Sequence, residues 1–295
     1  MSRAGRTLAQ AKVNLALRIL ARNADGYHSI ETVFLRLELA DSVTIRVSES
    51  TRSLRCDAMP GQRIEENLAF RAAALFAGET GWPGGFGIDI DKRIPIGGGL
   101  GGGSADAAAA LRILNALSPR PVSPERLLGM AGRLGADVPF LTSDHVMALG
   151  WGRGEKLQPL VPLQQRSFAL IVPPRGMATK DAYAMVAASR GGYEPRPRTI
   201  RPEMFASWDL VARHSVNEFE PFVEDALPGM RSWLEAGARL GLITRLSGSG
   251  STVFIVDAGT KDSLHAAIAS LGLDARTTVI RTRTATSVVP VEILG

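Results

Sequence analysis

The sequence predicts an α+β protein of two domains, and three observations lead there. Its opening is a succession of period-two apolar runs, the signature of an antiparallel sheet. In the middle, a strand, a glycine-rich loop and an alanine-rich helix follow directly on one another. The last third alternates strands and helices around a second glycine and serine loop, the pattern of a layered α plus β unit. At 295 residues the chain has a natural length for two domains of about 100 to 200 residues each.

The elements follow in order. In residues 12–19 Val13, Leu15, Leu17 and Ile19 alternate as a strand and leave Lys12 and Asn14 on the opposite face. After the polar turn 23–26, Val33, Leu35, Leu37 and Leu39 alternate, and then Val43, Ile45 and Val47, with Asp41 and Ser42 separating the two runs. Asn67 is placed to cap a helix carrying Leu68, Arg71, Ala72 and Leu75. A strand with Phe86, Ile88 and Ile90 leads into GGGLGGGS and a helix over about 105–117. Ser123 and Pro124 open the next helix, Gly135 ends it, and Pro139 biases Val138 towards an extended backbone. Prolines 159 and 162 and residues 164–166 read as a linker, which places the domain boundary near 164. Beyond it come a strand at 168–172, a helix opened by Thr179, helices at 217–227 and 230–239, and a strand ending at Leu246. The loop SGSGS, a strand at 253–256, a helix at 261–271 and a strand near Val279 complete the chain.

Composition excludes several classes of function. With 45% hydrophobic and 21% charged residues the chain has the apolar content of a packed globular protein and not of a disordered one. The net charge of +5 comes from scattered residues, with no run of five or six Lys or Arg, so it suits a phosphorylated ligand and gives no reason to expect nucleic acid. Cys56 is the one cysteine, which rules out a disulfide framework, a zinc-spaced cluster and a redox CxxC pair. Apolar runs fall short of the roughly 18 residues of a membrane span, and no secretory apolar stretch opens the chain. The expectation is a cytoplasmic protein with no membrane partner. His145, His214 and His265 lack metal-ligand spacing, and no metal-binding residues are expected.

The strongest chemical signal is the run of residues 97–103, six of the seven being glycine. So many glycines cost conformational entropy unless the backbone must approach something closely. A run of free N–H groups entering a helix N-terminus offers a nest and a positive dipole end for phosphate oxygens, with Ser104 placed to touch a phosphate or its Mg²⁺. The spacing Gly97, Gly99, Gly102 matches a dinucleotide fingerprint, but the acidic residue about 20 positions on is missing. It is not a Walker loop, since no Lys follows the last glycine.

These motifs together resemble one family, the GHMP kinases. They are AKVNLALRI and DGYHSIETVF near the start, PIGGGLGGGSADAA in the middle, LGADVPF after it, WGRGE at 151–155 and LSGSGSTVF near the end, spanning nearly the whole chain. The resemblance implies the two-domain GHMP kinase fold, with an N-terminal ATP-binding domain over 1–163 and a C-terminal α/β sandwich domain over 164–295 on the substrate side. It implies an ATP-dependent, Mg²⁺-using small-molecule kinase. Lys12, Asn14, Tyr27 and His28 point to the branch that phosphorylates the 2-hydroxyl of 4-diphosphocytidyl-2-C-methyl-D-erythritol in non-mevalonate isoprenoid synthesis. A kinase of mevalonate, homoserine or a sugar, or a non-catalytic nucleotide-binding module, stands as the alternative. The partners implied are ATP and a cytidyl diphosphate substrate, for a monomer or weak homodimer.

By the same resemblance Asp137 is the base or hydroxyl-orienting carboxylate, and Lys12 stabilises its charge and the developing alkoxide. ATP is assigned to Pro95, Ile96, Gly97, Gly98, Gly99, Leu100, Gly101, Gly102, Gly103, Ser104 and Ala105, with Lys92 and Asn67 at the adenine. The substrate is assigned to Asn14, Tyr27, His28, Thr179, Tyr183, Gly248, Ser249 and Gly250, with Tyr183 stacking on the cytosine or serving as a core aromatic. The chain departs from the family at Asn217-Glu218, where Asn-Asp is common, and at Ala105-Asp106, where Ser-Asn is frequent. Turned towards the site, Asp106 would help hold Mg²⁺; turned away, it would stabilise the helix N-terminus.

Overall fold

Two long strands, β1 (Ala4–Arg22) and β2 (His28–Ser48), pair antiparallel along most of their length and form the spine of the first sheet. The computed structural model describes all residues except 1–2, 23–27, 60, 62, 191–196, 224–225, 228, 258–260 and 295. Register shifts between Gln10 and Lys12 and between Asn14 and Ala16 interrupt the pairing at the residues singled out as functional. The sequence places a break at Asp41 and Ser42, yet one strand runs through both. The Asp41 carboxylate is buried, accepting hydrogen bonds from Lys92 and from the backbone N–H of Arg93 and Ile94 (2.6 and 2.8 Å), so its lone pairs are filled and the strand continues.

The sheet is completed by β3 (Arg52–Arg55) and β4 (Gly85–Asp91), the hairpin β5 (Met147–Gly152) and β6 (Lys156–Pro159), and the terminal β11 (Glu292–Leu294). Its order is β11-β1-β2-β4-β3, with β5 pairing the N-terminal part of β2 and β6 pairing β5. The hairpin and β3 carry little alternation and were not expected. Helices α1 (Leu68–Thr80), α2 (Gly102–Leu117), α3 (Pro124–Leu134) and α4 (Val138–Thr142) belong to the same unit. Asn67 caps α1 and Ser123 caps α3 as their sequences predict. The small residues Ala107, Ala108, Ala109 and Ala110 are buried, which allows α2 to lie close between the sheet and α1.

Two local expectations are corrected here. Helix α2 starts at Gly102, not Ala105, so the last glycines of the loop form its first turn. Val138 is helical: Pro139 falls in the first turn of α4, where its missing N–H has no intrahelical partner to lose.

The second sheet has order β10-β7-β9-β8, from β7 (Ser167–Val172), β8 (Ile243–Leu246), β9 (Val253–Val256) and β10 (Thr278–Arg283). All its neighbours are antiparallel, so β9 and β10 flank β7 in a split βαβ arrangement. Around it lie α5 (Thr179–Arg190), α6 (Trp208–His214), α7 (Glu220–Val223), α8 (Met230–Arg239) and α9 (Lys261–Ser270). The helix expected over 217–227 is reduced to α7, because Asn217 instead bridges to Leu17 of β1. Leu17 and Ile19 pack into the core of the second sheet, so β1 serves both cores. The position 164 falls between β6 and β7, where the sheets part, but the chain returns. Residues 292–294 pair with Ala4 to Arg6 and cover the edge of β1 that would otherwise be exposed.

Candidate active site

The two glycine loops meet. The first bends through positive φ at Gly97, Gly99 and Gly101 (73°, 76° and 74°) before entering α2. The second, between β8 and β9, lies against it: Thr252 N–H donates to Gly98 O (3.1 Å) and Ser247 Oγ to Gly99 O (3.0 Å). A Cβ at Gly99 would stand 2.1 Å from Ser247 O, so glycine is required there by contact as well as by φ. On its other side Leu100 O accepts from Lys12 N–H (3.0 Å), and a Cβ at Gly101 would press on Lys12 Cγ at 3.0 Å. The loop is thus fixed between β1 and the second loop, with the N-terminus of α2 at its end.

Lys12 projects from the irregular rung of β1 into the space beside these loops. Its ammonium lies 3.2 Å from Asp137 Oδ2 and donates to Asn14 Oδ1 (2.7 Å); its side chain is 3% exposed and that of Asp137 28%. Asn14 is oriented in turn by donating to Thr32 Oγ1 (2.7 Å), which donates to Ala16 O (2.7 Å). A buried ammonium requires such compensation. Asp137 stands at the N-terminus of α4, and the WGRGE loop abuts it, a Cβ at Gly154 falling 3.2 Å from Ala136 O. The pairing of Lys12 with Asp137 joins residues 125 positions apart in sequence.

Beside the first glycine loop the residues hold each other. Lys92 Nζ bridges Asp41 and Asp106 (2.7 Å to the latter), all three side chains being almost fully buried. Asp106 therefore turns to Lys92, and its Oδ1 accepts no hydrogen bond from the described residues. Burial pushes its carboxyl up to about 7, with Lys92 pulling it down and Asp41 pushing it further up. Asn67 Oδ1 accepts from Ala69 and Phe70 N–H (2.9 and 3.4 Å) as the cap of α1. Both Lys92 and Asn67 still border the cavity. Ala105 does not: it is buried in the core and its N–H closes the first turn on Gly101 O.

On the opposite side the His28 and Tyr183 rings stack, centroids 4.4 Å apart and planes 3° from parallel, and Phe219 meets Tyr183 edge-on at 4.9 Å. Ser249 Oγ donates to Thr179 Oγ1 (3.1 Å), tying the second glycine loop to the start of α5. Gly248 borders Lys12, whereas Gly250 faces inward against Leu227 and Leu246 and does not line the cavity. Tyr27 lies outside the described residues. Glu218 has definite partners, accepting from Ile19 N–H (3.0 Å) and from Arg18 Nε (3.3 Å). Asn217 donates to Leu246 O and Gly248 O (2.7 and 2.8 Å) and so shapes the second loop.

A single cavity of about 1630 Å³ connects these parts, lined among others by Lys12, Asn67, Lys92, Ser104, Asp137 and Tyr183. Asp41 and Phe219 escaped the sequence reading. A lone acid inside an apolar alternation was the available signal for Asp41; Phe219 follows the Asn217-Glu218 motif but carried none of its own. The arrangement offers a phosphate cradle, a paired carboxylate and ammonium, and an aromatic face within one chamber.

Comparison with known proteins shows the family. Residues 67–145 match the GHMP kinases N terminal domain. The 4-diphosphocytidyl-2-C-methyl-D-erythritol kinase of Halorhodospira halophila is 37% identical over 249 residues, 84% of this chain and 82% of that protein. A crystal structure of 4-(cytidine 5'-diphospho)-2C-methyl-D-erythritol kinase superposes with TM-score 0.74 at 34% identity, covering 95% of this chain and 99% of that one. The homoserine kinase of Cytophaga hutchinsonii, at 16% identity and TM-score 0.69 over 99% of this chain and 97% of its own, shares the fold. With its two glycine loops, its Lys12 and Asp137 pair and this extent of identity, the chain belongs to the 4-diphosphocytidyl-2-C-methyl-D-erythritol kinase family of the GHMP kinases.

Proposed function

We propose that this protein transfers the γ-phosphoryl group of ATP to the 2-hydroxyl of 4-diphosphocytidyl-2-C-methyl-D-erythritol, giving the 2-phosphate and ADP in non-mevalonate isoprenoid synthesis. The observation that carries the reading is the Lys12 and Asp137 pair, 3.2 Å apart, facing both glycine loops in one chamber. Asp137 takes the proton of the acceptor hydroxyl as its oxygen bonds to the γ-phosphorus and the bond to the ADP oxygen breaks. Lys12, held by Asn14, keeps Asp137 aimed and offsets the negative charge that develops on the attacking oxygen. The N–H groups of the first glycine loop and of the first turn of α2 hold the phosphates, where the helix dipole favours them.

Lys92 and Asn67 border the adenine end, and His28 with Tyr183 and Thr179 receives the cytidyl end. Mg²⁺ suits a site of this kind, since it binds through one or two protein oxygens and the substrate phosphates. Ser104, in the first turn of α2 and lining the cavity, would hold the ion through its hydroxyl, and the ion would neutralise phosphate charge. In this reading residues 1–163 bear ATP, residues from 164 bear the substrate side, and the last strand returns to the first unit. No helix among the described residues is long and apolar enough to cross a membrane, and a cytoplasmic monomer or weak homodimer is proposed.

The test is ADP release with Mg-ATP and the cytidyl substrate, run beside mevalonate, homoserine and galactose, with Asp137→Ala as control. Turnover of the cytidyl substrate alone, reduced by about 10² to 10⁴ in the variant, is expected. Turnover of another alcohol would overturn the substrate. No turnover of any would favour a non-catalytic nucleotide-binding module.

A further inference from the structure

A fully buried arginine stands opposite Lys12, on the neighbouring strand β2. Arg36 is 1% exposed and is the cross-strand partner of Lys12 in the β1 and β2 register. Its guanidinium donates from Nη2 to Phe140 O and Ser143 O (2.7 and 2.8 Å) and from Nε to His145 O (2.8 Å). Among the described residues all its side-chain hydrogen bonds go to these carbonyls and no carboxylate lies at ion-pair distance. Burial pushes the guanidinium down to about 9, helped by Arg112 and opposed by Asp144, so it stays cationic at neutral pH. Keeping a cation here is unfavourable compared with an apolar side chain of the same size.

What the cation holds is the far end of the helix that begins at Asp137. The acceptors lie within and just after α4, where carbonyls lack intrahelical partners and a positive charge complements the dipole. Phe34, on the same face of β2, stacks on Phe140 at 4.8 Å, and the Arg36 guanidinium carbon lies 5.0 Å from the centre of the same ring. Arg36 N–H also donates to Val146 O (2.9 Å), so β2 grips the segment after α4 at several points. With about 1.5 Å of rise per residue, a five-residue helix is roughly 7 Å long. A tilt of about 10° at its anchored end would displace Asp137 by about 1 Å, a misplacement that can cost about 10² in rate.

We infer that Arg36 is a positioning residue for the phosphoryl transfer: from the rung of the sheet that carries Lys12, it anchors α4 and so sets Asp137 at its distance from Lys12. The inference rests on the reading of Lys12 and Asp137 as the reacting pair. A planar fork reaches three carbonyls in fixed directions, which the single ammonium of lysine does not reproduce.

The experiment uses the full-length protein and steady-state kinetics of Arg36→Ala and Arg36→Lys, with folding followed by thermal melts. Expected is a fall in kcat of about 10² for Arg36→Ala and at least about 10 for Arg36→Lys, with both KM values within about threefold. Ethylguanidinium, but not ethylammonium, restores part of the kcat of Arg36→Ala. In an Asp137→Ala background Arg36→Lys costs little more, because the group it positions is gone. If Arg36→Ala does not fold, Arg36→Lys and the double variant carry the test. A folded Arg36→Lys with parental kcat, or a loss of the same factor with and without Asp137, overturns the inference. If the parent itself turns over but Asp137→Ala is equally active, the reading of the reacting pair fails instead.

Discussion

Replacing Asp106 with Asn should stabilise the protein, and more so as pH rises. The buried cluster sets two carboxylates, Asp41 and Asp106, against one ammonium, Lys92. Asp41 has two backbone N–H donors besides Lys92, while Asp106 has Lys92 on one oxygen and, among the described residues, no donor on the other. Asp106 is therefore the group that burial drives up, from an ordinary 3.8 to about 7. An acid with a raised folded pKa binds its proton more tightly in the folded state, so stability is lost as pH climbs from about 4 through about 7 and levels off above. The full gap corresponds to about 4 kcal/mol. Since Lys92 shares the same equilibrium, about 2 to 4 kcal/mol is expected at pH 8, or roughly 5 to 10 °C in Tm. Asn cannot ionise, keeps the shape, and leaves Lys92 balanced by Asp41 alone. Thermal unfolding of parent and Asp106→Asn at pH 5, 6, 7 and 8 should show a Tm difference that grows with pH. A difference that stays flat, or an Asn variant less stable than the parent at pH 8, refutes the reasoning.

Two further substitutions separate overlapping roles. Asn67→Asp retains the cap on α1 and loses the amide donor, so stability should hold while the KM for ATP rises about two- to tenfold; Asn67→Ala should also lose about 1 kcal/mol in denaturant melts. Equal ATP kinetics in all three proteins would remove Asn67 from the adenine end. Tyr183→Ala, losing an aromatic face, should raise the KM for the cytidyl substrate about 10- to 100-fold with ATP unaffected, and Tyr183→Phe should restore most of it. A rise shared by both substrates would show that Tyr183 serves the core of the second sheet instead.

Much of the molecule could be read locally. The caps Asn67 and Ser123, the glycine loop and the alanine face of α2 are set by neighbours a few residues away, and each was legible for that reason. Asp41 was misread as a break because its partners, Lys92 and the N–H groups of Arg93 and Ile94, lie some fifty positions further on. Val138 was misread because the bias of a following proline yields when that proline can occupy the first turn of a helix. Strand β11 and the hairpin of β5 and β6 owe their form to edges of β1, β2 and each other that no local pattern announces.

The same division holds for the site. The sequence by itself determined the chemistry available: a backbone that must come close to phosphate, a lysine on the polar face of a strand, an acid just past a helix end, and aromatics able to stack on a base. Motif order along the chain was enough to assign these to a kinase. Only the tertiary structure decided which groups face each other, since Lys12 and Asp137 meet through a register shift in β1 and the anchoring of α4 by Arg36. It also decided that Asp106 faces Lys92, leaving Ser104 at the loop's end. Side-chain type is written residue by residue, whereas distance and burial arise from contacts between segments far apart in the chain, and it is those contacts that set the buried Lys12 ammonium 3.2 Å from the Asp137 carboxylate.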